Sequence, residues 1–429
     1  MRKELYRIEV PKDKSFDSTI PLLLEGYRFI ANRRRKLRSD IFQTRIKGEK
    51  VICMSGPEAA KIFYDETRFV RKNAPPVRVI KTLFGKKAVQ TLDDTPHVHR
   101  KQLFMSLFTE KNINVLKEIT RSEWLHLIDR WEKMDKVILF EEAKKVMCKV
   151  ACRWLEVPLK QSELEIRADD LWALVDSFGA VGFRHWRGRV ARKKCNLWME
   201  NLVKQVRANK LHIDDDSLFY QMITYKELDG KLLNEKVVAV EVINILRPIV
   251  AISLYIVFGA LALYTYPQTK EKLASGDDEY VRMFTQEVRR LYPFTPYVGA
   301  RVRRPFIWDG HHFQRNDLVL LDIFGMNHDE RIWEKPSEFM PERFKNFTAY
   351  KYVFIPQGGG DKTADHRCAG ETVTIAVMEE TFSFLLKEIS YDVPNQNCQY
   401  SMSRIPPKIK SGFIIQNVHK KAKELSELH

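Results

Sequence analysis

The chain has 429 residues, 44% of them hydrophobic and 30% charged, the composition of a soluble globular protein with enough apolar mass for a large core. A formal charge of +16 is spread along it, with clusters in RRRKLR (33–38) and RHWRGRVARKK (184–194); these read as solvated helix faces, no nucleic-acid-binding motif accompanies them, and their sign suits anionic amphiphiles or a membrane surface. Six cysteines with no CxxC pair exclude a disulfide scaffold and fit a reducing, cytoplasmic setting.

The amino terminus MRKELYRIEVPKDKS has no apolar core, so no secretory signal is expected. STIPLLLEGYRFIANRRRKL reads as one amphipathic helix, and FQTRIKGEKVICMSG as a β-hairpin turning at KGEK. Thr95-Pro96 offers an N-cap and a proline at the first helical position, opening a helix through HVHRKQLFMSLF. Apolar periodicity predicts helices over about 110–131, 140–155, 163–178, 186–209 and 234–265. Cys148 and Cys152, four apart, share a helix face and read as buried thiols rather than metal ligands. Alternate residues of a helix diverge, so His97 and His99 are no metal site either. DDEYVRMFTQEVRRLYP (277–293) is a helix stopped by Pro293. Short strands and turns alternate from Val298 to Asp322, with His311-His312 in a turn. A last helix runs from about Ala369 to Lys387, and strand-like runs close the chain. NKLHIDDDS (209–217) and VPNQNCQYSMSRIPPK (393–408) read as ordered loops, and no repeat or low-complexity linker divides the sequence. The expectation is one domain over 1–429, mainly α with a small β portion.

Three features carry chemistry. Within VEVINILRPIVAISLYIVFGALALY (240–264), Arg247 is followed at once by Pro248. The longest uncharged run, Ile249 to Tyr264, falls short of the ~20 residues of a membrane span. The segment therefore reads as a buried core helix, where a lone guanidinium is costly unless something neutralises it. The second feature is FIPQGGGDKTADHRCAGETVTIAVMEETFSFLL (354–386). Its glycine-rich loop delivers Cys368 to a helix start, where the dipole favours a thiolate and the glycines let a flat cofactor approach the backbone; a small packed residue is the alternative. Third, Glu287 and Arg290 stand three apart on one helix face and can pair with each other, and Arg343 in EKPSEFMPERF can join them in a buried network; a surface ion pair is the plainer reading.

Taken in order, Glu-x-x-Arg, Phe-x-Pro-x-Arg-Phe and the glycine-rich loop with His-x-Cys-x-Gly resemble the cytochrome P450 superfamily. Two departures narrow this. Asp361 stands seven residues before the cysteine, where the superfamily usually has phenylalanine, and the loop is extended as PQGGGDKTADHRC. Arg247-Pro248, followed by Ile249 and Val250, occupies the place of the acid-alcohol pair that relays protons to bound dioxygen. Both departures are similar to one bacterial branch, the fatty-acid peroxygenases. TLFGKKAVQTLDDTPHVHRKQLFMSL (82–107), DSFGAVGFRHWRGR (176–189), LRPIVA (246–251) and IPQGGGDKTADHRCAGE (355–371) carry that likeness.

The resemblance implies a cytochrome P450 fold with haem b between the long central helix and the cysteine loop. Cys368 would be the iron ligand. Arg71, His97, Lys101 and His366 would meet the haem propionates, with Gln357 and Gly358 in the loop beside the haem. Glu287, Arg290 and Arg343 would brace the fold behind it. Arg247 would pair with the carboxylate of a long-chain fatty acid, which would itself serve as acid and base for hydrogen peroxide. Pro248 would open room for that headgroup. Hydroxylation at the α or β carbon would follow, with oxidative decarboxylation to terminal alkenes as a side or main reaction. Phe84 and Gln90 would face the headgroup carbons, with glutamine leaning toward hydroxylation. Phe178, Phe294 and Tyr297 would line the acyl channel, ordinary core packing being the alternative for each. The implied protein is cytoplasmic, without stable membrane insertion, nucleic acid or an obligatory redox partner. The rivals are a reductase-dependent fatty-acid monooxygenase and a non-catalytic haem or fatty-acid-binding protein.

Overall fold

The computed structural model describes residues 9–274 and 278–422. The first eight residues of the amino terminus and Asp277, the anticipated start of the 277–293 helix, lie outside them. Helices dominate, and three small sheets sit among them.

The stretch after Ser18 is not one helix. Thr19–Glu25 ends at Gly26, a 3-10 turn covers Gly26–Arg28, and Phe29–Leu37 resumes. Gly26 has φ +53°, and a Cβ there would stand 2.2 Å from the Met402 carbonyl oxygen. Tyr27 N–H donates to that same carbonyl at 3.0 Å. Docking of the 402–403 backbone therefore breaks the helix at the residue that tolerates it.

The hairpin forms as expected. Ile41–Ile46 and Glu49–Met54 pair antiparallel, Ile41 opposite Met54. Lys47 and Gly48, both at positive φ, make the two-residue turn whose twist matches the strands. Glu49–Met54 runs parallel to Leu318–Asp322, which pairs antiparallel with Tyr297–Val302, and Phe69–Val70 forms the edge. His311 and His312 are not in a turn. They lie in the strand His311–Phe313, paired with Phe306–Trp308. The turn is made by Asp309 and Gly310, both at positive φ.

The helix after residue 93 spans Asp94–Leu107, so Thr95 lies inside its first turn and Asp93 takes the N-cap position. Asp93 makes no cap bond, because its carboxylate accepts the Arg71 and Lys72 N–H groups at 2.6 and 2.8 Å. The following helices run Glu110–Leu125, Leu139–Leu155, Leu164–Asp176 and Phe183–Arg207. The central helix is two segments, Glu235–Ala251 and Ser253–Thr265, separated at Ile252 rather than at Pro248. By length and composition Glu235–Thr265 could cross a membrane, but 94% of its apolar window is buried inside the protein. Leu246, Ile249, Val250 and Leu254 join the main core with Leu139–Leu155 and Phe183–Arg207, so the segment behaves as a core helix. Asp278–Leu291 and Glu371–Ser383 complete the frame around the cysteine loop.

Candidate active site

The cysteine loop is shaped by its glycines. Gly358 and Gly360 have φ +92° and +88°, and a Cβ on Gly358 would stand 2.9 Å from the Tyr64 hydroxyl. Asp361 folds the extension back on itself, its Oδ1 accepting the Thr363 and Ala364 N–H groups at 2.8 and 3.0 Å. Cys368 follows, three residues before the Glu371–Ser383 helix. Its N–H donates to Gln357 O at 3.1 Å, and Gln357 Nε2 lies 3.7 Å from its Sγ. Gln357 is held in turn: Nε2 donates to Thr374 Oγ1 at 3.1 Å and Oε1 accepts Arg289 Nη2 at 2.8 Å. Arg289 pairs with Glu371 at 2.5 Å, and Arg367 with the same carboxylate at 2.7 Å.

Burial raises the Cys368 thiol, and Glu371 adds to that; the Gly370 N–H, the Lys101 charge and Gln357 oppose it. Cys53, Cys148, Cys152 and Cys195 are sealed in the core. Cys368 is only half-buried, although the surrounding protein desolvates its thiol. An amide donor, a main-chain N–H and an ammonium around one sulfur are what a thiolate ligand requires. The residues present fit a haem on this cysteine.

The four residues anticipated at the propionates come together. His97 and His366 stack with ring centroids 3.8 Å apart. His366 Nε2 lies 3.6 Å from Asp93 Oδ1, and His97 Nδ1 lies 4.0 Å from Glu66. Lys101 Nζ donates to Arg367 O at 2.9 Å and to the Asp365 carbonyl. Burial first, then neighbouring positive charge, lowers His97 to about 3; burial, against the pull of Asp93, lowers His366 to about 4. Both imidazoles are thus neutral hydrogen-bonding groups at pH 7. Burial lowers Lys101 to about 8. Arg71 stands over the rings of Phe63 and Tyr64, at 4.4 and 5.3 Å. Glu66, His97 and His366 are close enough to hold a small ion, but Lys101, Arg71 and the two imidazoles suit carboxylates on a larger group.

Arg247 is 7% exposed. Nη2 donates to Asn244 Oδ1 at 3.2 Å and Nε has no partner. No carboxylate among the described residues pairs with it. Burial, then the Arg192 charge, lowers the guanidinium to about 9, with Cys368 pulling the other way; it is a cation at neutral pH. Asn244 is oriented from behind. Its Nδ2 donates to Glu241 Oε2 at 3.1 Å and reaches Gln90 Oε1 at 3.5 Å. Glu241 Oε1 accepts Arg100 Nη1 at 3.0 Å and the Val89 N–H at 2.9 Å. Gln90 is thus tied to the Arg247 network, and Phe84 lies one residue before Gly85 in the same segment.

The other anticipated residues divide. Glu287 accepts Arg290 Nε and Nη2, both at 2.7 Å, and Arg343 Nε at 3.2 Å. Glu287 and Arg290 are fully buried, so this is no surface pair. Phe294 stacks on Tyr255 of the central helix, centroids 4.7 Å apart. Tyr297 packs against the small core cluster that holds Phe29, Phe42 and Leu320, and Phe178 is half-buried just after the Leu164–Asp176 helix. No hydrogen bond, ion pair or ring stacking among the described residues links Phe178 or Tyr297 to Arg247. Sequence reasoning missed Arg289, Glu371, Asn244, Glu241 and Arg192. Asn244 could have been found, since it precedes Arg247 by three residues on one helix face. Arg192 could not, being one of many basic residues in its helix.

The family model described as cytochrome P450 matches residues 184–410, and the chain belongs to the cytochrome P450 family. Its cofactor is accordingly haem b on a cysteine thiolate. Within the family it falls in the CYP152 fatty-acid peroxygenase branch. The solved structure of cytochrome P450EX alpha (CYP152N1) with myristic acid is 42% identical, with a TM-score of 0.93 over 96% of this chain and 99% of that one. Cytochrome P450 OleT in complex with arachidonic acid is 34% identical, with a TM-score of 0.94 over 97% and 99%. Among curated proteins, protopanaxadiol 6-hydroxylase of Panax ginseng is 24% identical over 78% of this chain and 76% of its own length.

Proposed function

We propose that the protein is a haem-thiolate fatty-acid peroxygenase, hydroxylating long-chain acids at the α or β carbon with hydrogen peroxide. The observation that carries this reading is Arg247: a buried guanidinium without a carboxylate, held by Asn244 and electrostatically coupled to Cys368. The relatives solved with myristic and arachidonic acid bring a ligand whose headgroup matches it.

Bound on Cys368, the haem supplies the oxidising chemistry of the family. The rest is done by side chains. Arg71, His97, Lys101 and His366 anchor its carboxylates, and Gln357 and Gly358 shape the loop beneath. Gln357 donates toward the sulfur and keeps its charge in place. Arg247 receives the substrate carboxylate in a charge-assisted pair. That carboxylate, set in a dry site, takes and returns the protons of the peroxide, which the apolar residues Ile249 and Val250 cannot do. With the headgroup pinned, the α and β carbons are the nearest to the Cys368 side, so anchoring fixes the position of attack. Pro248 makes room for the headgroup, Phe84 and Gln90 border the first carbons, and Phe178, Phe294 and Tyr297 guide the acyl chain. Some decarboxylation to alkene accompanies hydroxylation. A peroxide-driven enzyme of this kind works in the cytoplasm without an obligatory redox partner.

The test is turnover of myristate with peroxide alone against turnover with NADPH and a reductase, the products read by mass spectrometry. Peroxide alone is expected to suffice; turnover only with the reductase would make the protein a conventional monooxygenase. Arg247→Ala is expected to lower fatty-acid turnover by about 10²–10⁴-fold, the worth of a positioned acid-base group, while the haem spectrum is kept. In the parent enzyme, an added short carboxylic acid should enable oxidation of a non-acid substrate that is inert alone, by placing on Arg247 the carboxylate that substrate lacks.

A further inference from the structure

A second buried guanidinium stands near Arg247. Arg192, on the Phe183–Arg207 helix, is 4% exposed. Among the described residues its one hydrogen bond runs from Nη1 to Leu83 O at 3.3 Å, and Nε and Nη2 have no partner there. The backbone makes space for it. A Cβ on Gly85 would stand 2.0 Å from Arg192 Nη2 and 2.8 Å from Val240 Cγ1, and Gly85 has φ +90°. Glycine is therefore required twice over, by the backbone angle and by the guanidinium lying on it. Val240, Asn244 and Arg247 follow one another at helical spacing along the central helix, so the Gly85 backbone that Arg192 lies against meets the same helix face that carries Arg247.

The local charges do not balance. Arg100 lies between Glu241 and Glu227, at 3.0 and 2.8 Å. Glu241 draws on Arg192 through space, and Arg192 and Arg247 repel one another. Arg100 thus takes up both carboxylates, and among the described residues neither Arg192 nor Arg247 has a carboxylate partner. Both carboxylate oxygens of Glu241 are already committed, to Arg100, Val89 N–H and Asn244. Buried cations that repel each other are relieved by an anion between them, and a carboxylate is such an anion.

We propose that Arg192 is a second recognition residue for the substrate carboxylate, sharing with Arg247 one carboxylate site floored by Gly85 and Val240. This rests on the reading of Arg247 given above. The holoenzyme and its Arg192→Gln, Arg192→Lys and Arg247→Gln variants would be titrated calorimetrically with myristic acid and with 1-tetradecanol. Arg192→Gln is expected to weaken the acid by at least about tenfold, as losing a charged hydrogen-bond donor does, and the alcohol by less than about twofold. Arg192→Lys keeps the charge but not the planar fork of donors, so its acid affinity is expected to fall between those of the parent and of Arg192→Gln; a lysine variant weaker than the glutamine one would overturn a charge-based role. Arg192→Met, apolar and of similar length, carries the same expectation as the glutamine variant should that one fail to fold. Unchanged acid affinity in Arg192→Gln with a loss in Arg247→Gln would overturn the role of Arg192 and leave that of Arg247 standing. An equal loss for acid and alcohol would make Arg192 a prop for the Leu83 loop. Unchanged acid affinity in Arg247→Gln would overturn the underlying reading itself.

Discussion

Two acids seven residues apart, Asp322 and Asp329, show how a buried carboxyl is decided by its partners. Asp329 accepts Arg331 Nη2 at 2.7 Å and also pairs with Arg34; these bonds outweigh burial and hold it at about 2. Asp322 caps the short Ile323–Met326 helix, Oδ1 accepting Gly325 N–H at 2.8 Å, but Oδ2 has no partner. Burial pushes it up to about 7, against the Gly325 N–H and Arg34. The two contribute to stability with opposite sign. Asp329, lowered on folding, stabilises above about pH 4 and loses that contribution as pH falls toward 2. Asp322, raised on folding, binds a proton the unfolded chain has released, so stability falls as pH rises from about 4 to 7 and then levels off. Asp322→Asn keeps the cap acceptor and removes the buried charge. It is expected to raise the unfolding free energy at pH 8 by up to about 4 kcal/mol, from ~1.4 kcal/mol per pH unit, and by much less at pH 4. Urea titrations at the two pH values check this, and an equal gain at both would rule out ionisation as the cause. Neither behaviour was legible in the sequence, where Asp322 closes an apolar run and Asp329 sits among polar residues.

The central helix carries the Arg247-Pro248 pair and continues through it to Ala251 before it is interrupted at Ile252. Pro248 supplies no N–H to the Asn244 carbonyl one turn earlier. Asn244 is also the residue whose side chain holds Arg247, so the missing bond loosens the backbone where the headgroup site is set. Pro248→Ala restores the donor. Relative to a helical alanine, an interior proline costs about 3 kcal/mol, and a gain of roughly 1–3 kcal/mol in stability is expected because the surroundings have adapted to the ring. Fatty-acid turnover should fall at the same time, by about tenfold, as the site tightens. Urea unfolding and product formation measured on one preparation decide it: added stability with unchanged turnover would confine Pro248 to packing. At this scale the sequence was readable wherever a local rule prevailed. Lys47-Gly48 turned the hairpin, and apolar periodicity located every long helix. Two misreadings lie where another segment intrudes, at Gly26 against Met402 and at Asp93, whose carboxylate serves Arg71 and Lys72 instead of a cap; the third is local, the turn falling on Asp309-Gly310 and leaving His311-His312 in a strand. The break at Ile252 carries no such signal.

For the molecule as a whole, the family could be recognised because its motifs are few and ordered: Glu287 with Arg290, Arg343, and Cys368 with its glycine loop. What could not be read is the part assembled across long sequence distances. Gln357 reaches Cys368 through an anchorage that includes Arg289 and Glu371, and Arg192 meets Gly85 only in the folded chain. The Glu287 network shows how much of the whole hangs on one such node. Besides Arg290 and Arg343, Glu287 accepts the Met340 N–H at 2.9 Å. Arg290 meanwhile donates to the carbonyls of Asn327, Pro336 and Glu338 at 2.8, 2.9 and 3.1 Å. One carboxylate therefore couples the Asp278–Leu291 helix to the irregular chain from 327 to 343. Glu287→Gln conserves its shape but leaves Arg290 fully buried without a counter-charge. Removing one partner of such a pair costs about 3–5 kcal/mol, a large share of the stability of any single protein. The holoprotein of this variant should unfold at markedly lower urea concentration and lose its haem in the same transition. Glu287→Leu combined with Arg290→Met should recover part of the loss, because the cost lies in the stranded charge and not in the missing pair. A Glu287→Gln protein within about 1 kcal/mol of the parent, near the centre of the range for ordinary substitutions, would show instead that the backbone carbonyls around Arg290 suffice to hold it.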